Sequence, residues 1–584
     1  MNATLLKMAA LSAVAIAVGI NPTNAQEAAV PSQTKSHTNT IDLLIDSYVK
    51  NNQFNGSVLV AEHGKIILRK GYGLANREWD IPCEPNTIFR IGSVTKQFTA
   101  AVVLQLASEG KLKLDSAMTE YLPDYRKDTG DKVTVHHLLR HTSGIPSYTT
   151  PDFFKNESRT PFTVDEFVEK YCSGDSEFEP GSDFRYNNSG YFLLGAIIEQ
   201  VDGKTYAESV KSRIFDPVGM TDSGYDVHAP IIKRRAQGYE KTPNGYRNAA
   251  YLDMGLPFAA GSLYSTVDDL FKWDQSLYAD NVLSKESKEL MFTPGKSDYG
   301  YGFFIGEAPI GKTETTTKIV QHGGGINGFN CRFTRVVGQN HTIVILDNVS
   351  MGQYHAKMTN SIINVLNDQP YDLPKKSIVD AISGLAMEQG GATAVAKYRK
   401  LKTESPDDYD FDDEEFLNQI GYGLLGDEKI KDAIEIFKLN VEMFPESSNA
   451  YDSLGEAYLA ANDKELALVN YQKSVELNPE NATGVLAINE IEGKSTKLSV
   501  EALNAFVGEY EIAPGFILTT TVEEGKLMGQ ATGQDKIALN SISKTKFLIA
   551  PINATITFEI DVNGNTTGLV LDQGGQTVNA KKIN

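Results

Sequence analysis

The residues best suited to chemistry lie in Phe89-Arg-Ile-Gly-Ser-Val-Thr-Lys-Gln-Phe98, where Ser93 and Lys96 stand three apart. The stretch that follows, Val94 to Glu109, is rich in Ala, Leu and Gln. It carries Phe98, Val102 and Leu106 at helical spacing, which predicts a helix. Positions i and i+3 share a helix face, so the lysine amine can lie beside the serine hydroxyl. The helix start adds unpaired N–H groups and positive dipole character at that hydroxyl. A serine hydroxyl is a weak nucleophile at neutral pH, and an amine held neutral by its surroundings can take its proton. Alone the pattern has little specificity, because Ser-x-x-Lys equally describes a helix cap followed by a solvated lysine.

Two further stretches could complete such a site. In Glu179-Pro-Gly-Ser-Asp-Phe-Arg-Tyr-Asn-Asn188, a Pro-Gly turn and a short strand would set the Tyr186 phenol beside the Asn188 amide. The phenol could shuttle a proton and the amide could hold a substrate carbonyl. In Val320-Gln-His-Gly-Gly-Gly-Ile-Asn-Gly-Phe329, strand-like residues lead into consecutive glycines, where backbone can approach a ligand without Cβ interference. Such a strand edge can aim an N–H at a developing oxyanion. Each has a plainer reading, a buried tyrosine near a capping Asn and a Gly turn. His137 and His141 sit at i, i+4, but no Glu follows His137 and Thr142-Ser-Gly144 breaks the helix, so a zinc site is set aside. Gly-x-Ser-x-Gly is absent around Ser93, which leaves an α/β-hydrolase elbow unsupported.

Taken in chain order, Ser93-x-x-Lys96, Tyr186-x-Asn188 and His322-x-Gly324, standing in place of Lys-Thr-Gly, resemble the class C β-lactamases and penicillin-binding-protein-like serine hydrolases. His137-Leu-Leu-Arg-His-Thr-Ser-Gly-Ile145 and Gly261-Ser-Leu-Tyr-Ser-Thr266 look like landmarks of the same family. The resemblance spans Ile41 to Asn367. It implies an α+β fold, a β-lactamase/DD-peptidase-like sheet flanked by helices, with no metal or cofactor. It implies Ser93 as the nucleophile of an acyl-enzyme and Lys96 with Tyr186 as the base system. Asn188, His322 and Gly324 are then substrate contacts, and the backbone N–H groups of Ser93 and Gly325 the oxyanion hole. The departure is His322. A lysine there would be a permanent cation for a substrate carboxylate, whereas an unperturbed imidazole titrates near pH 6.5. That shifts weight from β-lactams and D-alanyl-D-alanine ends toward esters, amides and D-amino-acid peptides. The expected function is an exported serine hydrolase of this kind. The alternatives are a β-lactamase or D-alanyl-D-alanine carboxypeptidase, and a non-catalytic peptidoglycan or peptide sensor using the same pocket.

The elements that position these residues follow from patterning. Gly56 to Arg69 reads as a hairpin around His63-Gly64, and His341-Thr-Ile-Val-Ile-Leu-Asp347 is a similar β-rich run. This predicts one antiparallel sheet built from both ends of a domain spanning residues 41–368, with helices between. Beyond it, Gly421 and Gly455, Ala433 and Ala467, Phe437 and Tyr471, and Pro445 and Pro479 are each 34 residues apart. That period resembles the tetratricopeptide repeat. It assigns residues 376–495 to helical repeats, with Lys376 to Leu401 as a candidate degenerate first repeat, and to a possible protein partner. Residues 500–584 change to about eight short strands with turns at Glu524-Gly525, Asn563-Gly564 and Gly574-Gly575, a small barrel or sandwich that resembles lipocalin-like modules.

At the other end, Lys7, the apolar stretch Met8 to Ile20 and Thr23-Asn24-Ala25 form a signal-peptide pattern over residues 1–25. A polar, flexible linker of residues 26–40 is expected to follow. The mature chain is expected to be periplasmic or secreted, with no membrane span. A net charge of −20 argues against nucleic-acid binding. Three dispersed cysteines, Cys83, Cys172 and Cys331, cannot build a disulfide framework and read as small buried hydrophobes.

Overall fold

A computed structural model describes residues 33–583 apart from 243–244, 413, 494–497, 514, 533, 535, 550–551, 553, 563 and 574–575. The signal-peptide pattern of residues 1–25 lies outside the described residues. Strands Gly56–Glu62 and Lys65–Tyr72 form the expected hairpin. Its turn residues His63 and Gly64 both have positive φ, 50° and 74°, the backbone hand that matches strand twist. Strand His341–Asp347 pairs antiparallel with Gly56–Glu62, so the two ends of the domain do close one sheet. Its order is Phe304–Pro309, Thr316–Ile326, Phe329–Val336, His341–Asp347, Gly56–Glu62 and Lys65–Tyr72.

Alternation along the strands serves two cores. Val58 and Val60 face one, with Ile343 and Ile345, under helices Gln33–Lys50 and His355–Leu366. Leu59 and Ala61 face the other, which holds Phe98, Val102 and Leu106 of helix Thr95–Ser108. The polar, flexible linker is a correction: residues 33–40 belong to helix Gln33–Lys50. Ile41, Leu44, Ile45 and Tyr48 anchor that helix to the sheet. His37 extends the docking, with ring nitrogens 2.9 Å from Glu62 and 3.0 Å from Asp368. A polar composition there marks a helix face rather than a tether. The three cysteines are buried and unpaired.

After this domain, paired helices run from Ile378–Gln389 to Ala482–Ile491. The 34-residue period has a structural counterpart. A Cβ added at Gly421 would meet the Phe437 ring at 2.5 Å, and one at Gly455 the Tyr471 ring at 3.1 Å, so both glycines admit an aromatic from the next helix. Eight strands between Gly508 and Lys582 close into a barrel. Glu524 and Gly525 take positive φ, 50° and 76°, as a tight hairpin turn requires. Asn563, Gly574 and Gly575 lie outside the described residues, although strands Ala554–Ile560 and Thr566–Gln573 pair antiparallel as expected. Phe506, Tyr510, Phe547, Phe558 and Leu569 pack inside the barrel region as a core. Eight strands enclose about the width that side chains can fill.

Candidate active site

Ser93 sits in the 3-10 turn Gly92–Val94, directly before helix Thr95–Ser108. The turn needs Gly92, whose φ is +49° and whose missing Cβ would lie 2.9 Å from the Gly325 nitrogen. The i, i+3 expectation holds. Lys96 Nζ is 3.2 Å from Ser93 Oγ. The amine also donates to Asn188 Oδ1 at 2.8 Å and to the Ala260 carbonyl at 2.9 Å. Lys96 is 0% exposed, and the rings of Tyr186 and Tyr191 lie 4.9 and 5.4 Å from its nitrogen. No carboxylate pairs with it among the described residues, so burial holds the amine well below the usual lysine range.

Asn188 opens helix Asn188–Asp202, with Asn187 as N-cap accepting from the Gly190 N–H. Its amide is oriented from both ends, because Nδ2 donates to Thr149 Oγ1 at 3.2 Å while Oδ1 accepts a hydrogen bond from Lys96 Nζ. The short strand expected before Tyr186 is not there: residues 183–187 are neither strand nor helix. Instead the chain is tied to the segment after helix Val135–Leu139, with Gly181 N–H on the Thr142 carbonyl at 2.7 Å and Arg185 N–H on the His141 carbonyl at 3.0 Å. The Tyr186 hydroxyl is buried without a partner in hydrogen-bonding geometry. Burial pushes its pKa well above the usual phenol range, and the nearby Ser93 hydroxyl works against that rise.

His322 is placed deeper than a substrate contact. It is 3% exposed and its ring centre is 6.0 Å from that of Tyr186. Nδ1–H donates to the Gly323 carbonyl at 2.6 Å, and Nε2 accepts from the Tyr299 hydroxyl at 3.1 Å. Burial, then the Lys96 amine, push its imidazole down to about 3, so at neutral pH it carries no charge. Gly324 is also enclosed. A Cβ there would lie 2.0 Å from the Ile91 carbonyl oxygen and 2.6 Å from Cys331 Sγ. The glycine is required by packing of the strand on the Ser93 turn, not by approach of a ligand.

Ser93, Asn188 and Gly325 line one cavity of about 490 Å³. Tyr148, Phe153, Leu252, Leu256 and Phe329 make much of its wall apolar, and Glu240 is the one charged side chain among its described lining residues. The Lys96 acceptor at Ala260, the Asn188 partner Thr149 and the ring cluster of His141, Tyr191 and Tyr299 escaped the motif reading. Of these, only His141 lies in a stretch that resembled a landmark, His137–Ile145, and no chemistry was assigned to it. His137 and His141 do not converge: His137 Nδ1 accepts from Thr134 N–H at 3.2 Å, while His141 turns into the tyrosine cluster. No membrane-length apolar helix occurs among the described residues.

Known proteins resemble this chain over the domain that holds the site. The family model described as Beta-lactamase matches residues 41–365. Penicillin-binding protein 4* of Bacillus subtilis (strain 168) is 31% identical over 365 residues, which is 58% of this chain and 77% of that protein. The teichoic acid D-alanine hydrolase of Staphylococcus aureus is 29% identical over 287 residues, covering 48% of this chain and 70% of its own. Among solved structures, D-amino acid amidase from Ochrobactrum anthropi SV3 complexed with D-phenylalanine aligns with a TM-score of 0.50 at 24% identity. It covers 57% of this chain and 99% of that one, a likeness of fold.

Proposed function

The chain belongs to the Beta-lactamase family and is a serine hydrolase, and on that premise we propose that it cleaves esters, amides or D-amino-acid peptides through an acyl-enzyme on Ser93. The observation that carries this reading is the fully buried Lys96 amine, 3.2 Å from Ser93 Oγ and held by burial well below the usual lysine range. A neutral amine has two N–H donors and one lone pair. Asn188 Oδ1 and the Ala260 carbonyl take the donors, which leaves the lone pair for the Ser93 O–H 3.2 Å away.

Ser93 Oγ attacks the acyl carbon as its proton passes to Lys96 Nζ. The oxyanion that forms is met by the N–H groups of Ser93 and Gly325. Tyr186, kept protonated by burial, gives its proton to the leaving group as the acyl–leaving-group bond breaks, and recovers one from Lys96. Water then attacks the Ser93 ester, its proton passing by the same groups back to Ser93 Oγ as the acid departs. Neutral or amino-bearing acyl groups are favoured, D-alanine among them, the group in the printed name of the staphylococcal relative. An uncharged His322, and a cavity with no cationic side chain among its described lining residues, give a substrate carboxylate little to bind. An extracytoplasmic location is part of the same proposal, resting on the residue 1–25 pattern.

The test is covalent labelling with a fluorophosphonate, followed by turnover of p-nitrophenyl esters, D-amino-acid anilides and nitrocefin. Ser93 should carry the label, Ser93→Ala should not, and esters and D-anilides should outpace nitrocefin. Folded wild-type protein that neither labels nor turns over any of the three would end the proposal.

A further inference from the structure

The mechanism above asks the Tyr186 phenol to stay over Ser93 and Lys96, yet the segment that carries it has no sheet or helix to hold it. His141 supplies the restraint. Its backbone is left-handed, with φ +57°, which turns both carbonyl and ring toward that segment. The carbonyl accepts the Arg185 N–H at 3.0 Å and the ring Nδ1 accepts the Asn187 N–H at 3.1 Å. These are the amides on either side of Tyr186. The imidazole itself lies against the Tyr186 ring, with centres 4.4 Å apart. Asn187 is further tied through its side chain to the Ile145 carbonyl, so the same bonds set the start of the helix that presents Asn188.

We propose that His141 is a positioning residue of the acyl-transfer site, clamping the chain on both sides of Tyr186 so that the phenol faces Ser93 and Lys96. The clamp works only with a neutral ring. Nδ1 accepts, so the single ring proton is on Nε2, which is buried without a partner. A second proton at Nδ1 would face the Asn187 N–H donor to donor. The groups around the ring are the phenols of Tyr186, Tyr191 and Tyr299, the Lys96 amine, His322 and the apolar Phe184. Burial is the first cause holding the imidazole well below its usual range, which favours the neutral ring that this geometry needs. A buried donor with no partner is a cost that a purely packing residue would not carry, and an apolar side chain could fill the same space.

The inference rests on the role given to Tyr186 above, and the test separates the two. Full-length His141→Leu, His141→Asn, Tyr186→Phe and the His141→Leu/Tyr186→Phe double variant are compared on a p-nitrophenyl ester, per folded protein. His141→Leu should lower kcat by about 100-fold, the scale of an ångström misplacement, with KM little changed. His141→Asn should recover most of that loss, because Asn tolerates the left-handed backbone and its Oδ1 can accept the Asn187 N–H. In the Tyr186→Phe background the His141→Leu loss should shrink to a small remainder, since both act mainly through one hydroxyl and only the effect on Asn188 is left. Losses that multiply independently, or a folded His141→Leu with wild-type kcat, would overturn the positioning role. Should His141→Leu not fold, His141→Asn against His141→Gln decides, because the longer amide cannot reach the Nδ1 position: equal activities overturn it. Wild-type turnover by Tyr186→Phe would instead overturn the Tyr186 assignment itself.

Discussion

Gly323 and Gly324 are adjacent and identical in the sequence, yet their environments predict opposite responses to one added methyl. At Gly324 a Cβ would stand 2.0 Å from the Ile91 carbonyl oxygen, 2.6 Å from Cys331 Sγ and 3.0 Å from the Ile91 carbonyl carbon. Two of these atoms, including the nearest, are backbone and cannot rotate away. Restoring the ordinary separation of 3.4 Å to the Ile91 oxygen forces the strand and the Ser93 turn apart. The next residue is Gly325, so the displacement falls on the N–H pair proposed to meet the oxyanion. A shift of about an ångström at reacting groups costs of the order of 100-fold in rate, and overpacking costs about 1–3 kcal/mol in stability. At Gly323 the nearest atom to an added Cβ is the Cys331 oxygen at 3.6 Å, an ordinary contact. Gly323→Ala should therefore keep wild-type turnover and gain about 0.4–1 kcal/mol from a less flexible unfolded chain. The assay is kcat/KM on a p-nitrophenyl ester, with Tm on the same preparations. Gly324→Ala within about tenfold of wild type, or Gly323→Ala falling as far, would refute the packing argument.

Three other perturbations follow from the same coordinates. Lys96→Arg replaces a neutral amine with a guanidinium that cannot accept a proton, and acylation should fall by about 10²–10⁴-fold. In the wild type, activity needs the unprotonated amine and is lost as pH falls through its lowered pKa, so the acid limb of kcat/KM should lie well below pH 10.5. A limb near pH 10.5 would mean that the amine is solvated. Arg213, 2.6 Å from both Asp202 and Glu109, holds the Asp202 carboxyl down at about 2 from its usual 3.8. The stability this contributes is present above the unfolded value and is lost as pH falls through the folded one. The wild-type advantage over Arg213→Met in urea titrations should thus be full at about pH 6 and shrink from about pH 4 toward pH 2, and an advantage that grows on acidification would contradict it. Ending the chain after Lys375 retains the Gln53 bond to the Lys375 carbonyl at 2.7 Å, and Ser350 is the last residue lining the cavity. Turnover of a small ester should be unchanged, and a loss beyond about tenfold would make the helical and barrel regions part of the site.

The local geometry of this site was legible because covalent spacing sets it. A serine and a lysine three apart at a helix start must share a face, whatever the rest of the chain does. The hairpin turns at His63-Gly64 and Glu524-Gly525 were legible for the same reason, since two residues between alternating strands leave few backbone solutions. The sheet closed from both ends was readable from β-rich runs at each end of the domain. What spacing cannot carry is environment. Residues 33–40 looked like a polar tether until the apolar residues after them docked the helix. The segment before Tyr186 looked like a strand, but its amides are met by the chain around His141 rather than by a sheet. Gly324 read as room for a ligand and is room for the Ile91 carbonyl. His322 read as a weaker cation than lysine and is no cation at neutral pH. The deciding case is Lys96, whose position beside Ser93 is local but whose two acceptors come from 92 and 164 residues away. The sequence by itself determined which groups could react. Only the tertiary structure decided their protonation, because desolvation is a property of everything packed around a group and of nothing in its own four residues.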